Sequence, residues 1–167
     1  MYYLREAHMK KESLQRIIPC FALLALAGIG LGSYFKTPHV VINEVCSNNF
    51  AAWSSEKGRY SDYIELFNPG ETAVSLDGCF LTDDEKELEK YSLEGISVPA
   101  KGYVMVCLDE ESAFRVSKDG EKLFLTDSVQ DIYLDQVIVP RLSYDTSYGR
   151  VQDGSSKWSV MDTTPGS

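Results

Sequence analysis

Histidine is scarce in this 167-residue sequence, which contains only His8 and His39. A serine or cysteine nucleophile usually needs a nearby histidine to take its proton. No nucleophile motif or orienting partner accompanies His39, so we interpret it as a linker residue rather than a catalyst. The sequence also lacks a kinase glycine-rich loop and an H-R-D segment. We therefore expect no catalytic residue and no enzymatic activity in this chain.

Cysteine is nearly as rare, with four in the whole chain. Cys46, Cys79 and Cys107 are spaced far beyond the C-x-x-C interval that gathers zinc ligands, so we expect no zinc site. In an oxidising compartment these thiols allow one disulfide with three alternative pairings, among which the sequence does not choose. We favour the interpretation that each is a small buried hydrophobe, because each lies within an apolar run.

Positive charge is sparse after residue 36. Residues 37–167 carry eleven Lys and Arg against twenty-three Asp and Glu, a net charge of −12. Residues 1–36 carry five basic and two acidic residues, a net charge of +3, and the two parts together give the −9 of the whole chain. Nonspecific binding to nucleic acid depends on clustered Lys and Arg, so we expect no nucleic-acid partner.

The sequence contains one long uncharged run, at residues 17–35. Its nineteen residues are enough for a helix to cross about 30 Å of hydrocarbon. Basic residues precede the run, and Tyr34 and Phe35 end it. This pattern is typical of a helix whose amino-terminal side stays in the cytoplasm.

We therefore predict that the chain has four parts and that the last part lies outside the cell. They are a cytoplasmic basic segment at 1–16, a transmembrane anchor or signal peptide at 17–35, a linker at 36–39 and a folded domain at 40–166. A cleaved signal is the alternative to an anchor, because Ala25-Leu26-Ala27 resembles a cleavage site. We favour the anchor, since the apolar run continues past that tripeptide. The domain is exported in both cases, on a single-pass membrane protein or as a secreted one.

From residue 40 onward, short apolar segments alternate with turn signals, as is typical of an all-β sandwich or barrel. Asp77-Gly78, Asp119-Gly120 and Asp153-Gly154 are turn dipeptides, and the polar residues 47–61 predict a long loop. Helical patterns are too short to stand alone. We predict an all-β fold preceded by one N-terminal hydrophobic helix. The predicted strands lie at residues 40–46, 63–67, 73–76, 79–82, 91–93, 103–108, 123–126, 132–139, 147–151 and 158–160.

The segment at residues 62–70 predicts a strand and the turn that ends it. Ile64 and Leu66 fall on one face of a strand with a period of two, which we assign to the core. Tyr63, Glu65 and Phe67 fall on the other face, which we expect to point outward. Two aromatic rings around a carboxylate form a candidate binding patch for a peptide or glycan. The alternative, which we favour, is that these rings stabilise neighbouring strands.

Acidic residues near strand ends suggest a calcium site. Glu44, Asp62, Asp83 and Asp84 are the candidate ligands, because Ca²⁺ prefers clustered oxygen atoms. No EF-hand loop pattern is present, however. The favoured alternative is that these residues are solvated surface charges, and that residues 83–90 form a solvated excursion.

A series of short blocks follows in order from residue 41 to residue 166. The blocks are VINEV at 41–45, DYIELFNP at 62–69, VSLDGCFLTD at 74–83, VPAKGYV at 98–104, LFLTD at 123–127, SYGR at 147–150 and TPG at 164–166. Together they resemble the lamin-tail domain family, and the resemblance covers essentially all of residues 40–166. Cys79 departs from the family pattern, which commonly has a bulky aromatic residue there.

This resemblance implies an immunoglobulin-like β-sandwich in an exported bacterial protein, and it implies no catalytic activity. We expect a module that binds a protein or a cell-surface polymer, for adhesion or as a scaffold. In that family a spore-coat H-type kinase domain often follows the lamin-tail domain. One alternative is therefore an accessory domain of a longer kinase-like surface protein, with its catalytic part beyond residue 167. Another alternative is a calcium-dependent surface module. The sequence leaves the oligomeric state open.

Overall fold

The computed structural model describes residues 40–55 and 57–167, which form eleven β-strands and no helix. The strands are β1 (Val41–Cys46), β2 (Asp62–Phe67), β3 (Val74–Ser75), β4 (Cys79–Thr82), β5 (Tyr91–Ser92), β6 (Ser97–Val98), β7 (Tyr103–Leu108), β8 (Glu121–Asp127), β9 (Ile132–Val139), β10 (Thr146–Arg150) and β11 (Trp158–Asp162). Every predicted strand is present, and only the two-residue β6 was not predicted. The predicted segments 1–16, 17–35 and 36–39 lie outside the described residues. Within the described part, no helix is long and apolar enough to cross a membrane.

The strands form three sheets, in which all pairs are antiparallel. A five-stranded sheet has the order β11-β10-β1-β2-β7, and a four-stranded sheet has the order β5-β4-β8-β9. β3 and β6 form a small third sheet. The predicted all-β class is confirmed, and the arrangement is consistent with a β-sandwich.

One hydrophobic core receives side chains from both large sheets. Its residues include Ile42, Ile64, Leu66 and Val106 from the five-stranded sheet and Cys79, Leu81, Leu123, Leu125 and Val137 from the four-stranded sheet. Burying one Leu or Ile side chain contributes about 2 kcal/mol. The assignment of Ile64 and Leu66 to the core is confirmed, and Cys79, which is 2% exposed, fills its part of that core.

The predicted turns connect these strands. Gly78, Gly120 and Gly154 have φ values of 79°, 96° and 69°, which suit the glycine of each predicted dipeptide. After β2, Asn68 Oδ1 accepts a hydrogen bond from Gly70 N at 2.9 Å. Asn68 Nδ2 also donates to Val98 O at 3.1 Å, so one buried amide joins the turn after β2 to the end of β6.

The solvated excursion predicted at residues 83–90 is tied to the four-stranded sheet through its backbone. Thr82 Oγ1 donates to Glu87 O at 2.7 Å, and Thr126 Oγ1 donates to Leu88 O at 2.8 Å. Thr82 and Thr126 are 0% and 3% exposed. The charged side chains of Asp84, Glu85, Lys86, Glu87 and Glu89 are exposed, as predicted. The backbone of this segment is not free, however, because the carbonyl oxygens of Glu87 and Leu88 accept hydrogen bonds from two buried hydroxyls, which charge patterning does not reveal.

Candidate functional site

The face of β2 that was predicted to point outward is buried. Tyr63 and Glu65 are 0% exposed and Phe67 is 7% exposed, so these residues do not form a surface patch. The expectation of an outward face was wrong because distant segments cover this side of the sheet. Trp53 packs against Tyr63 with ring centroids 5.4 Å apart, and Tyr103 packs against Phe67 at 5.0 Å.

Glu44 and Glu65 form a buried carboxylate pair on that covered side. They are register partners in β1 and β2 and are 2% and 0% exposed. The Tyr63 hydroxyl donates to Glu44 Oε1 at 2.5 Å, and Asn43 Nδ2 donates to Glu65 Oε1 at 2.9 Å. Burial raises the pKa of Glu65 to about 7, although the hydrogen bonds from Asn43 and from the backbone of Gly166 oppose the rise.

The last described residues cover this pair. Thr164 N donates to Glu44 Oε1 at 3.0 Å, and Thr164 Oγ1 donates to Glu44 Oε2 at 2.5 Å. Gly166 N donates to Glu65 Oε2 at 2.6 Å. The chain after β11 thus crosses the sheet and is held by two carboxylates, so we assign Glu44 and Glu65 a structural role.

The predicted calcium ligands do not form one cluster. Glu44 and Asp62 belong to the five-stranded sheet, whereas Asp83 and Asp84 follow β4 in the other sheet. Asp83 instead accepts a bond from Lys90 Nζ at 2.6 Å. Among the described residues, no three His, Cys, Asp or Glu side chains are grouped so as to hold a metal ion.

The three cysteines of the described domain are free thiols. Cys46 and Cys107 both lie opposite Tyr63, from the strands on its two sides. Two strand spacings separate their backbones by about 10 Å, beyond the reach of a disulfide. Cys46 and Cys79 are buried, as the favoured interpretation expected, while Cys107 is half-buried. Burial raises the pKa of each of the two buried thiols to about 11.

Three loops lie at one end of the five-stranded sheet. This is the end at which β1 and β7 finish and β2 and β10 start, as the pairing of Asp62 with Leu108 shows. The loops comprise residues 47–61, 109–120 and 140–145. The described residues of the first loop form no strand, as predicted, but hydrogen bonds hold their backbone in place.

Two side chains shape the loop at residues 47–61. Asp145 Oδ1 accepts hydrogen bonds from the backbone N–H groups of Phe50, Ala51 and Ala52 at 2.7, 2.7 and 3.1 Å. Those bonds hold the pKa of Asp145 below its ordinary value. Asn49 Nδ2 donates to the carbonyl oxygens of two further loop residues at 2.6 and 2.8 Å. These hydrogen bonds therefore fix the conformation of the loop.

This framework presents three aromatic side chains to solvent. Phe50, Tyr60 and Tyr144 are 72%, 54% and 72% exposed, and we call them the aromatic tip. Phe50 and Tyr144 pack edge to face, with ring centroids 6.2 Å apart. Large apolar rings that remain exposed on a fixed backbone are typical of interaction sites.

A groove of about 750 Å³ lies along β7, at the edge of the five-stranded sheet. Its lining includes Val104 and Val106, which lie opposite Leu66 and Ile64 on the core side. Met105 and Cys107, from the other side of the same strand, also line it. We call this the β7 groove. Its remaining lining residues are Trp53, Ser55, Lys57, Arg59, Tyr91, Ile96, Asp109, Glu111 and Ser112.

A second hollow, of about 490 Å³, connects the β7 groove with the aromatic tip. It is lined by Phe50 and Tyr60 of the tip and shares Arg59 and Asp109 with the groove. Arg59 Nη2 and Asp109 Oδ2 are 2.5 Å apart at the junction. The candidate functional site therefore extends from the edge of β7, across this ion pair, to the aromatic tip.

Comparisons with protein-family models, with curated proteins and with solved structures gave no match for this chain. The arrangement of the residues themselves must therefore support any functional proposal.

Neither part of this site was predicted from the sequence. One signal was present for the tip, because Phe50 and Tyr60 are aromatic residues inside a polar loop, where a core role is not expected. No comparable signal marked β7 as an edge, since strand order is not visible in a single sequence.

Proposed function

We propose that this chain is a non-catalytic, exported module that binds a protein or a cell-surface polymer. In this proposal residues 40–166 form an immunoglobulin-like β-sandwich of the lamin-tail type, and residues 17–35 anchor it in the membrane or direct its secretion. The domain acts outside the cell, in adhesion or as a scaffold. The resemblance of the ordered sequence blocks to the lamin-tail family supports the family assignment.

The observation that carries the proposal is the aromatic tip. Leaving Phe50 and Tyr144 more than two-thirds exposed costs the fold the free energy that their burial would provide. Nevertheless Asp145, the residue after Tyr144, fixes the backbone of residues 50–52 in the conformation that leaves Phe50 exposed. Aromatic rings on rigid supports supply much of the binding energy in protein interfaces and ligand sites.

The charge of the domain narrows the choice of partner. Its net charge of −12 disfavours anionic polymers, including nucleic acids. A neutral or basic surface provides better electrostatic complementarity. We therefore favour a protein partner over an anionic cell-wall polymer.

A photo-crosslinking experiment tests this proposal. A benzophenone amino acid replaces Phe50 in the full chain, produced in its own cells, and the same substitution at exposed Glu94 serves as the control. We expect a discrete adduct from position 50 that is absent from position 94. Equal labelling from both positions, or none from position 50, would contradict a binding role for the tip.

A further inference from the structure

β7 is an edge strand without the features that normally protect sheet edges. Among the described residues it pairs only with β2. Its sequence, YVMVCL, contains no charged residue and no proline. Natural proteins usually protect such edges with lysine, proline, a bulge or a very short strand, because exposed N–H and C=O groups can pair with another chain.

The other sheet edges carry such protection. β3, β5 and β6 have only two residues each, and the ladder of β9 with β8 contains a register shift. β11, the opposite edge of the five-stranded sheet, ends with the charged Asp162. Asp135 of β9 also accepts hydrogen bonds from Ile42 N at 2.8 Å and Arg150 Nη2 at 2.7 Å, so β1 and β10 contact β9 at its charged residue. β7 therefore stands out as an edge left available for pairing.

Side chains from both sides of the sheet form walls beside β7. Trp53 lies against Tyr63, on the side of the sheet away from the core. Tyr91 belongs to the four-stranded sheet and lines the opposite wall together with Ile96. A second copy of the domain would bring the same walls and would meet these side chains. An isolated extended segment avoids that conflict.

We propose that an extended segment of a partner protein adds to β7 as a sixth strand of the five-stranded sheet. Main-chain hydrogen bonds to β7 would provide affinity, and alternate apolar side chains would enter the groove beside Val104 and Val106. The charged lining of the groove is balanced, with Lys57 and Arg59 against Asp109 and Glu111. The domain as a whole has a net charge of −12, so the segment carries its basic residues at its flanks, outside the groove. This inference rests on the proposed function and specifies the partner as a peptide in extended conformation.

The test begins with a peptide library in which Val, Ile or Leu alternates with Thr, Lys or Arg over ten positions. The full chain serves as bait, and the selected peptide is then measured by calorimetry against three variants. M105K places a charge on the edge, whereas M105L keeps it apolar. V160K places the same charge on β11, at a residue that is 51% exposed. We expect M105K to raise the Kd at least tenfold while M105L and V160K leave it within twofold.

Backbone methylation of the peptide distinguishes strand addition from side-chain docking. Methylating each peptide nitrogen in turn removes one N–H donor at a time. In an added strand, alternate N–H groups face β7. Methylation at every second position should therefore lower the affinity at least tenfold, and methylation at the positions between them should change it little. Uniform tolerance of methylation would overturn the proposal. So would a selected peptide whose affinity is unaffected by M105K.

Two further results would also overturn it. One is a concentration-dependent dimer of the full chain that M105K abolishes, because the occupant would then be a second copy. The other is the absence of any selected peptide. If crosslinks form at Phe50 but β7 binds no peptide, the proposed function stands and this inference falls. If neither is observed, both fall.

Discussion

Glu44 and Glu65 face each other across β1 and β2 with 2% and 0% of their surfaces exposed. Neighbouring donors bond their oxygen atoms: the Tyr63 hydroxyl and Thr164 for Glu44, and Asn43 and Gly166 N for Glu65. The pair joins the middle of the sheet to the segment that follows β11. The stability of the domain should therefore depend on this pair and on the ionisation of Glu65.

The raised pKa of Glu65 predicts that the domain loses stability as the pH rises. Its pKa moves from 4.5 to about 7 in the folded state, so folding favours the protonated carboxyl. This shift stabilises the folded state by up to about 3 kcal/mol. The stabilisation is complete below pH 4.5 and is lost as the pH rises through about 7. Urea unfolding of the full chain at pH 5 and pH 8 should show the wild type less stable at pH 8.

The glutamine side chain of E65Q cannot ionise, so this variant should lose most of the difference in stability between pH 5 and pH 8. E94Q, at an exposed position, is the matched control and should keep it. An E65Q variant that retains the full pH dependence would show that Glu65 does not cause it.

Thr164 provides a second test of the same cluster. T164V keeps the shape of the side chain but removes the hydroxyl that donates to Glu44 at 2.5 Å. Losing one hydrogen bond to a carboxylate should cost about 2 kcal/mol, measured by urea unfolding. Neighbouring Thr163 makes no side-chain hydrogen bond within the described residues, so T163V should change stability by less than about 0.5 kcal/mol. Equal effects of the two substitutions would mean that Thr164 does not hold the segment.

The difference between predicted and observed surroundings of β2 has a physical cause. A period of two identifies which residues share a face, and it placed Ile64 and Leu66 correctly. It does not tell whether the opposite face meets water. That depends on Trp53, from the loop before β2, and on Thr164, from the segment after β11.

The support of the aromatic tip by Asp145 leads to a third prediction. D145A removes the acceptor of the three backbone N–H groups at residues 50–52, so their amide hydrogen exchange should accelerate at least tenfold. D145N retains an oxygen acceptor and tolerates the φ of 54° at this position, so its effect should be smaller. Unchanged exchange in D145A would show that the loop is ordered by other contacts.

Alkylation of the thiols checks the cysteine assignment. In the native domain Cys107 should react first with iodoacetamide, because Cys46 and Cys79 are buried and have raised pKa values. In denaturant without reductant all three should react, as mass spectrometry of the peptides will show. A disulfide-linked pair in the nonreduced digest would contradict this arrangement.

The strands could be predicted from sequence, because alternation and turn dipeptides are local signals. The candidate site could not, for two different reasons. The contact between Asp145 and Phe50 joins residues 95 positions apart. The availability of β7 depends on strand order, which places it at the edge of the sheet although its apolar sequence resembles that of an interior strand.

Amide hydrogen exchange of the full chain, with and without the selected extended peptide, tests the central claim most directly. If the peptide adds to the sheet, alternate amides of β7 should exchange at least tenfold more slowly in its presence, and the amides of β11 should not change. A peptide that binds without slowing exchange in β7, or that protects β11 instead, would contradict the account.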